Sequence, residues 1–297
     1  MRRSLAFALL VFSALPAAAY VRTTDGDTGV CLFWPRRDLH WTLNEAGTAD
    51  LPTEQAETAL EASFQTWNNA SCSDLAFVYD GRTSRSDAGF SPSATDNLNL
   101  VVFRDRSCRT VVPAGDPCEA DADPFACANA YGCWAHSTSV IALTTTSYNR
   151  HIGNVVDADM EFNASASSGG TRFRFTATVD ARPVCTRTNQ QDCVDTDLEN
   201  TATHEAGHFL GLSHSPESDA TMYASAPIGE TSKRTLADDD VSGVCDLYPT
   251  GAPPTTCTPS GRIVVAPSSG STTSGCASAA GGAWLVAALG AVRRRRR

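Results

Sequence analysis

The chain has 297 residues, a formal net charge of −10 and a mean hydropathy of −0.19. Seven arginines lie in two terminal segments without acidic residues, so the body between them has a formal charge of −17 and one lysine, Lys233. So acidic a body repels phosphate backbones, which argues against a nucleic-acid partner.

The N-terminal segment, residues 1–19, has the pattern of a secretory signal peptide. Arg2 and Arg3 precede an apolar run at residues 5–15, and three alanines at 17–19 provide a small-residue cleavage site. A membrane anchor is the alternative, although the run is too short to span a bilayer comfortably. We therefore expect an exported protein, located outside the cell or at its surface.

Residues 20–250 are predicted to form one mixed α/β (α+β) domain without internal repeats. Residues 53–69 have apolar side chains at steps of three and four (Ala56, Leu60, Phe64 and Trp67), which is typical of an amphipathic helix. Alternating or β-branched stretches predict five strands, at residues 38–44, 74–80, 97–104, 140–146 and 154–163. Two further helices are predicted at 197–212 and 238–247, and a cysteine-rich insert occupies 105–136.

Eleven cysteines indicate an oxidising compartment. If Cys276 belongs to the C-terminal tail, ten remain, enough for five disulfides whose connectivity the sequence leaves open. Cys185 and Cys193 enclose a short polar stretch and are the most plausible local pair. No CxxC pair occurs, which argues against a cysteine zinc site.

The C-terminal region divides into two segments. Residues 251–275 are rich in Pro, Ser, Thr and Gly and predict a linker. Residues 276–297 contain Cys276, an apolar stretch at 277–292 and five terminal arginines. This order resembles the MYXO-CTERM sorting tails of exported myxobacterial proteins, which implies cell-envelope sorting machinery as a partner. A simple tail anchor is the alternative.

The stretch HEAGHFLGLSH, residues 204–214, has the spacing of a catalytic zinc site. On a helix, His204 and His208 lie one turn apart on the same face. Gly211 can end that helix in the left-handed conformation, so that His214 returns as a third ligand. Three histidines leave a fourth position for water, as in catalytic zinc sites.

Glu205 is the candidate catalytic residue. It is adjacent to a histidine ligand but lies on another side of the helix, where it can reach the zinc-bound water. A carboxylate there can accept the proton of the water as general base and deliver it as general acid to a leaving amine. The alternative is an ordinary helix with exposed histidines, which the fixed spacing of five residues makes improbable.

These residues resemble the metzincin zinc endopeptidases and, among them, the matrixins (peptidase M10 type). The five fixed positions of HExxHxxGxxH are filled, and Met222 stands where the family has its Met-turn beneath the zinc. GNVVDADMEFN upstream and LADDDVSGVCDLYP downstream are similar to the flanking strand and the closing helix. The resemblance implies a twisted, mostly parallel sheet of about five strands, an active-site helix, a Met-turn and a C-terminal helix.

The resemblance also implies the function of a zinc-dependent endopeptidase with one catalytic Zn²⁺ and protein or peptide substrates. Substrate would lie extended along residues 139–145, although an ordinary buried strand is the alternative for this stretch. A catalytically idle metzincin-fold module for surface binding or adhesion is the main alternative function, and a zinc hydrolase with a non-protein substrate is a weaker one. We expect a monomer.

Several features depart from the matrixin pattern. No propeptide with a cysteine switch is recognisable, and Cys31 is better explained by a disulfide. The histidines of a structural-zinc loop are absent, and the insert at 105–136 stands in their place. Carboxylates at 119–123, and Asp157 with Asp159, are candidate Ca²⁺ ligands without EF-hand spacing.

Overall fold

The strands predicted between residues 38 and 163 form the centre of one twisted sheet. The computed structural model describes residues 20–166, 172–177, 182–187, 190 and 192–257, and the backbone of residues 270–278. The signal peptide predicted at 1–19 and most of the tail predicted at 276–297 lie outside these residues.

The strands β1 to β11 are, in chain order, Val21–Arg22, Asp38–Asn44, Ala76–Thr83, Leu100–Arg104, Val140–Tyr148, Val155–Asn163, Phe175–Thr176, Thr196–Asp197, Leu212–Ser213, Ser225–Ala226 and Gly270–Ser278. The helices α1 to α5 are Thr53–Asn68, Cys108–Val111, Ala126–Tyr131, Leu198–Leu210 and Asp238–Leu247. Two 3-10 turns, Pro117–Ala120 and Ser232–Arg234, complete the regular structure of the described residues.

The order of strands in the main sheet is β10-β11-β5-β6-β4-β2-β3. The pairings β2 with β3, β2 with β4 and β4 with β6 are parallel, whereas β5 runs antiparallel to β6. This confirms the predicted mixed α/β fold with a mostly parallel five-strand sheet, β2 to β6. The two strands added beyond β5 are β10 and β11, and residues 270–275 of β11 belong to the segment predicted as a linker.

Helices α1 and α4 pack together in the apolar core. The indole N–H of Trp67 on α1 donates to the Thr203 carbonyl on α4 at 2.8 Å, and that of Trp34 donates to the Phe209 carbonyl at 2.8 Å. Both indoles are buried, so their polar groups need such partners. These bonds fix the rotation of α4, the helix that carries the HExxH motif.

Five disulfides account for ten of the eleven cysteines. They join Cys31 to Cys257, Cys72 to Cys245, Cys108 to Cys133, Cys118 to Cys127 and Cys185 to Cys193. The local pair predicted from sequence is confirmed, as is a disulfide at Cys31. The predicted insert at 105–136 contains α2, α3 and two of the disulfides. No helix among the described residues is long and apolar enough to cross a membrane.

Candidate metal centre

Helix α4 begins and ends at residues suited to their positions. At its start, the side chain of Asp197 accepts a hydrogen bond from the backbone N–H of Asn200 at 2.9 Å, a standard N-cap. At its end, Gly211 has a φ of 103°, and an added Cβ would lie 2.7 Å from the Leu32 carbonyl oxygen. Glycine is therefore required both by conformation and by space, and the turn it allows leads the chain into β9.

The turn brings the three predicted histidines together. The Nε2 atom of His208 lies 3.1 Å from Nε2 of His204 and 3.2 Å from Nε2 of His214. Among the described residues, these three form a group whose candidate ligand atoms all lie within 4.8 Å of one another. The short strand β9, which precedes His214, pairs with β1, and this pairing holds the returning chain in place.

The protonation of His204 and His208 is set by backbone carbonyls. Nδ1 of His204 lies 2.7 Å from the Thr221 oxygen, and Nδ1 of His208 lies 2.8 Å from the Leu212 oxygen. A carbonyl only accepts, so each Nδ1 carries the proton and each Nε2 keeps its lone pair. Burial lowers the pKa of His204 well below its usual value and that of His208 to about 3, so both rings are neutral near pH 7.

This donor set fits a zinc ion. Ligands at about 2.0–2.1 Å in a tetrahedron have donor atoms about 3.3 Å apart, close to the two Nε2–Nε2 distances of 3.1 and 3.2 Å. Neutral nitrogens with converging lone pairs repel one another unless a cation lies between them. Metal-binding histidines commonly donate their other ring N–H to a backbone carbonyl, which fixes the orientation of the ring.

Glu205 is fixed by the neighbouring strand. The hydroxyl of Thr144 on β5 lies 2.8 Å from Oε2 of Glu205, to which it donates, and 3.1 Å from the Glu205 carbonyl. Both side chains are buried. The contact links α4 to β5 next to the histidine cluster and restricts the rotamer of the carboxylate.

Met222 packs against helix α4 at Gly207. Gly207 makes room for it, because a Cβ added there would stand 2.1 Å from the Met222 sulfur. The turn that carries Met222 is held by Asp240 of α5, whose carboxylate accepts from the N–H groups of Thr221 at 2.7 Å and Met222 at 3.0 Å. The same turn supplies the Thr221 carbonyl that orients His204.

Two of the three carboxylates on β6 are engaged by protein groups, whereas Oδ2 of the buried Asp157 has no hydrogen-bond partner. Glu161 accepts from Arg104 at 2.7 Å and lies 3.3 Å from Nε2 of His136. Asp159 accepts from the backbone N–H of Leu100 at 2.8 Å. In the part of the chain that the structure describes, acidic residues do not form a second metal-ligating group beside the histidines. Calcium binding by the carboxylates at 119–123, or by Asp157 with Asp159, stays a prediction.

The fold and the site resemble those of the matrixin type of zinc metalloendopeptidases. Residues 126–249, less than half of the chain, match the family model for Matrixin. Metalloendoproteinase 1 of Glycine max is 52% identical over 52 residues, which cover 18% of this chain and 17% of that protein.

Two other relatives match over similar lengths. Metalloendoproteinase 1-MMP of Arabidopsis thaliana is 53% identical over 55 residues (18% of this chain, 15% of that protein). Neutrophil collagenase of Homo sapiens is 41% identical over 68 residues (20% of this chain, 15% of that protein). The chain thus spans less than a fifth of the length of these curated relatives, so the likeness concerns a short region.

The site contains residues that the motif does not indicate. Thr144 holds the Glu205 carboxylate, and Asp240 holds the turn at Met222, each through a contact between residues far apart in sequence. For Asp240, the local sequence offers one signal, the run of three aspartates at 238–240 at the start of a predicted helix. The run does not show which of the three side chains is buried. By contrast, the three histidines, Glu205 and Met222 lie together as the spacing predicts.

Proposed function

We propose that this chain is an exported zinc-dependent endopeptidase in which His204, His208 and His214 hold one zinc ion and Glu205 is the general base. The observation that carries the proposal is the convergence of three Nε2 atoms, two of them on imidazoles fixed at Nδ1 by carbonyls. Glu205 lies on the same helix, and its carboxylate is positioned by Thr144.

Bound zinc would supply Lewis-acid polarisation of the scissile carbonyl and lower the pKa of the attacking water. The residues of the chain do the rest. Glu205 accepts the proton of the water and then donates it to the leaving amine nitrogen. Thr144 holds the carboxylate in one rotamer, and Met222 provides an apolar floor beneath the histidines. Peptide substrate pairs with the edge of β5 by β-strand addition.

Export is supported by the five disulfides, because such bonds persist in oxidising compartments. The predicted signal peptide and the predicted sorting tail fit the same location. We propose that the chain acts as a monomer on protein or peptide substrates and that envelope sorting machinery processes its tail.

The test is to measure zinc content and cleavage together on the oxidised full chain. We expect about one zinc per chain and chelator-sensitive cleavage of an unfolded, fluorescently labelled protein. Glu205→Gln should keep the zinc but lower kcat on the order of 10²–10⁴-fold, because the general base is lost. The matched control is Glu61→Gln at an exposed position on α1, which should leave both quantities unchanged.

Two outcomes contradict the proposal. Cleavage that survives metal removal, or that continues undiminished in Glu205→Gln, would assign the activity to other chemistry. A folded protein that binds zinc but cleaves no peptide, even when the edge of β5 is open to substrate, would favour the catalytically idle binding module instead. Profiling cleavage sites on a peptide library would then define the substrate preference.

A further inference from the structure

Strand β11 lies between β5 and β10 and extends the main sheet beyond β5. It pairs antiparallel with β5 in a register that sets Gly270 opposite Tyr148, Thr273 opposite Thr145 and Cys276 opposite Ala142. At its far end, Ser278 pairs in parallel with Ala226 of β10. A segment from the C-terminal region of the chain thus occupies the backbone edge of β5 over nearly the whole strand.

The same edge borders the candidate metal centre. Thr144 of β5 contacts Glu205 of α4, and β11 itself also contacts α4. An extended peptide that reaches Glu205 along β5 must form its backbone hydrogen bonds with this edge. One edge of a strand pairs with only one neighbour, so β11 and such a peptide exclude each other.

Burial of the site agrees with this arrangement. The side chains of His204 and Glu205 have no solvent-accessible surface, and His208 is 3% exposed. A general base must be reached by water and by the scissile bond of the substrate. In the described arrangement of the chain, the route along β5 is closed.

We propose that residues 270–278 form an intramolecular blocking strand, which competes with peptide substrate for the edge between β5 and β10. The proposal rests on the proposed endopeptidase function and adds to it a means of restraining the activity. Release of the segment from the edge of β5 opens the site.

The short tether makes such a strand an effective competitor. Cys257 is fixed to Cys31 by a disulfide, and twelve residues, 258–269, join it to β11. A tether of this length gives an effective concentration on the order of 1 mM. We take a Kd of about 10–100 µM, typical of a peptide substrate, for the untethered segment. At the effective concentration above, the segment then occupies the edge about 90–99% of the time, and the KM for an added peptide substrate rises about 10–100-fold.

The test uses two adjacent prolines in the full oxidised chain. Adjacent residues of a strand direct their N–H groups to opposite edges, so Thr272→Pro with Thr273→Pro removes one donor towards β5 and distorts β11. The matched control is Ser268→Pro with Ser269→Pro, which has the same chemistry but lies outside β11. Neither pair includes a residue of the candidate metal centre.

Two readouts are needed. Hydrogen exchange of the β5 amides that face β11 reports strand docking whether or not the protein cleaves anything. It should accelerate at least about 10-fold in the 272/273 variant and not in the control. Peptide cleavage by the 272/273 variant should show a KM lowered about 10–100-fold at unchanged kcat, since the competition is for binding alone. A synthetic peptide of residues 268–280 should restore inhibition, competitively.

The outcomes separate this proposal from the proposed function. Unchanged exchange in the 272/273 variant, or faster exchange with an unchanged KM, overturns the blocking strand while the endopeptidase stands. Rapid cleavage of the full chain within 270–278, detected by mass spectrometry, overturns it as well, since the segment is then a substrate. Faster exchange without cleavage by any variant overturns the endopeptidase itself.

Discussion

At the scale of single residues, Asp240 connects the closing helix to the candidate zinc ligands. Its buried carboxylate accepts from the N–H groups of Thr221, Met222 and Ala237 at 2.7, 3.0 and 2.9 Å. The Thr221 carbonyl in turn accepts from Nδ1 of His204 at 2.7 Å. The Asp240 carboxylate therefore positions Met222 and, through Thr221, orients the ring of the candidate ligand His204.

We predict that Asp240→Ala weakens both the fold and zinc binding. Three N–H groups lose their acceptor, which should lower the free energy of unfolding by about 2–4 kcal/mol. Loss of a residue that orients a ligand should lower zinc affinity about 10–100-fold. Urea unfolding of the zinc-free protein and a metal-competition titration measure the two effects.

Asp238→Ala is the matched control for this prediction, because Asp238 is the exposed first residue of the same helix. It should change the free energy of unfolding by no more than about 1 kcal/mol, through the helix dipole alone. Equal zinc affinity in Asp240→Ala and in Asp238→Ala would show that the Met-turn keeps its geometry without Asp240.

At this scale the motif indicated the candidate ligands but not the residues that hold them in place. The spacing of His204, Glu205, His208, Gly211 and His214 is short and fixed by helix geometry, so sequence predicts which side chains converge. Thr144 is 61 positions from Glu205, and Asp240 is 18 from Met222. Such pairings depend on how elements pack, and nothing in the local pattern distinguishes Asp240 from its two neighbours.

At the scale of elements, strand β6 contains a pair of buried acids, Asp157 and Asp159, that lie on the same side of the strand. Burial raises the pKa of Asp157, although a hydrogen bond with Asp159 opposes the shift. Burial also raises the pKa of Asp159, with a further contribution from the charge of Asp157. Two acids so placed favour sharing one proton over ionising fully.

Because the folded pKa of Asp157 lies above its unfolded value, the sign of the pH dependence is fixed. The contribution of Asp157 to the free energy of unfolding is fully present below about pH 4 and is lost as the pH rises through its folded pKa. We predict that the free energy of unfolding of Asp157→Asn, which cannot ionise, rises relative to that of the parent as the pH increases. The difference between the two proteins should be at least about 1 kcal/mol more in favour of Asp157→Asn at pH 8 than at pH 5.

Urea unfolding at the two pH values measures the difference between Asp157→Asn and the parent. Asp38→Asn, at an exposed acid that begins β2, is the control and should show no such trend. A parent that gains stability relative to Asp157→Asn as the pH rises would mean that Asp157 is ionised and well paired in the fold.

Periodicity predicted the main elements because each of them buries one regular face. The steps of three and four in α1 and the runs of β-branched residues in β5 and β6 determine type and position within a few residues. The insert at 105–136 has no such periodicity, and its short helices depend on the disulfides around them. Strand β11 consists of small polar residues typical of a linker, and its conformation comes from pairing with β5.

At the scale of the whole molecule, two disulfides join distant parts of the chain. Cys31–Cys257 connects residues 226 positions apart and Cys72–Cys245 residues 173 apart, whereas Cys118–Cys127 closes a loop of 9. The loop-entropy relation assigns about 5 kcal/mol to Cys31–Cys257 and about 2.5 kcal/mol to Cys118–Cys127. The sequence showed that five pairs were available but not which cysteines meet, since that depends on the completed fold.

The Cys31–Cys257 disulfide also sets where the tether of the proposed blocking strand begins. Without it, the chain is still held at Thr250, whose N–H donates to the Cys72 carbonyl, and at Ala252, whose carbonyl accepts from Arg37. The free segment then begins after Ala252, and its length grows from twelve residues to about seventeen. We predict that Cys31→Ser with Cys257→Ser lowers the free energy of unfolding by about 5 kcal/mol. It should also lower KM about 1.5- to 2-fold, because effective concentration falls roughly as the −3/2 power of tether length.

Cys118→Ser with Cys127→Ser is the control that separates the two effects. It should cost about 2.5 kcal/mol and leave KM unchanged, because that loop lies in the insert and does not tether β11. Thermal unfolding and peptide-cleavage kinetics of both variants give the comparison. If both variants shift KM equally, the change follows from general loosening of the fold. If only Cys31→Ser with Cys257→Ser shifts it, the disulfide sets the local concentration of the strand at the edge of β5.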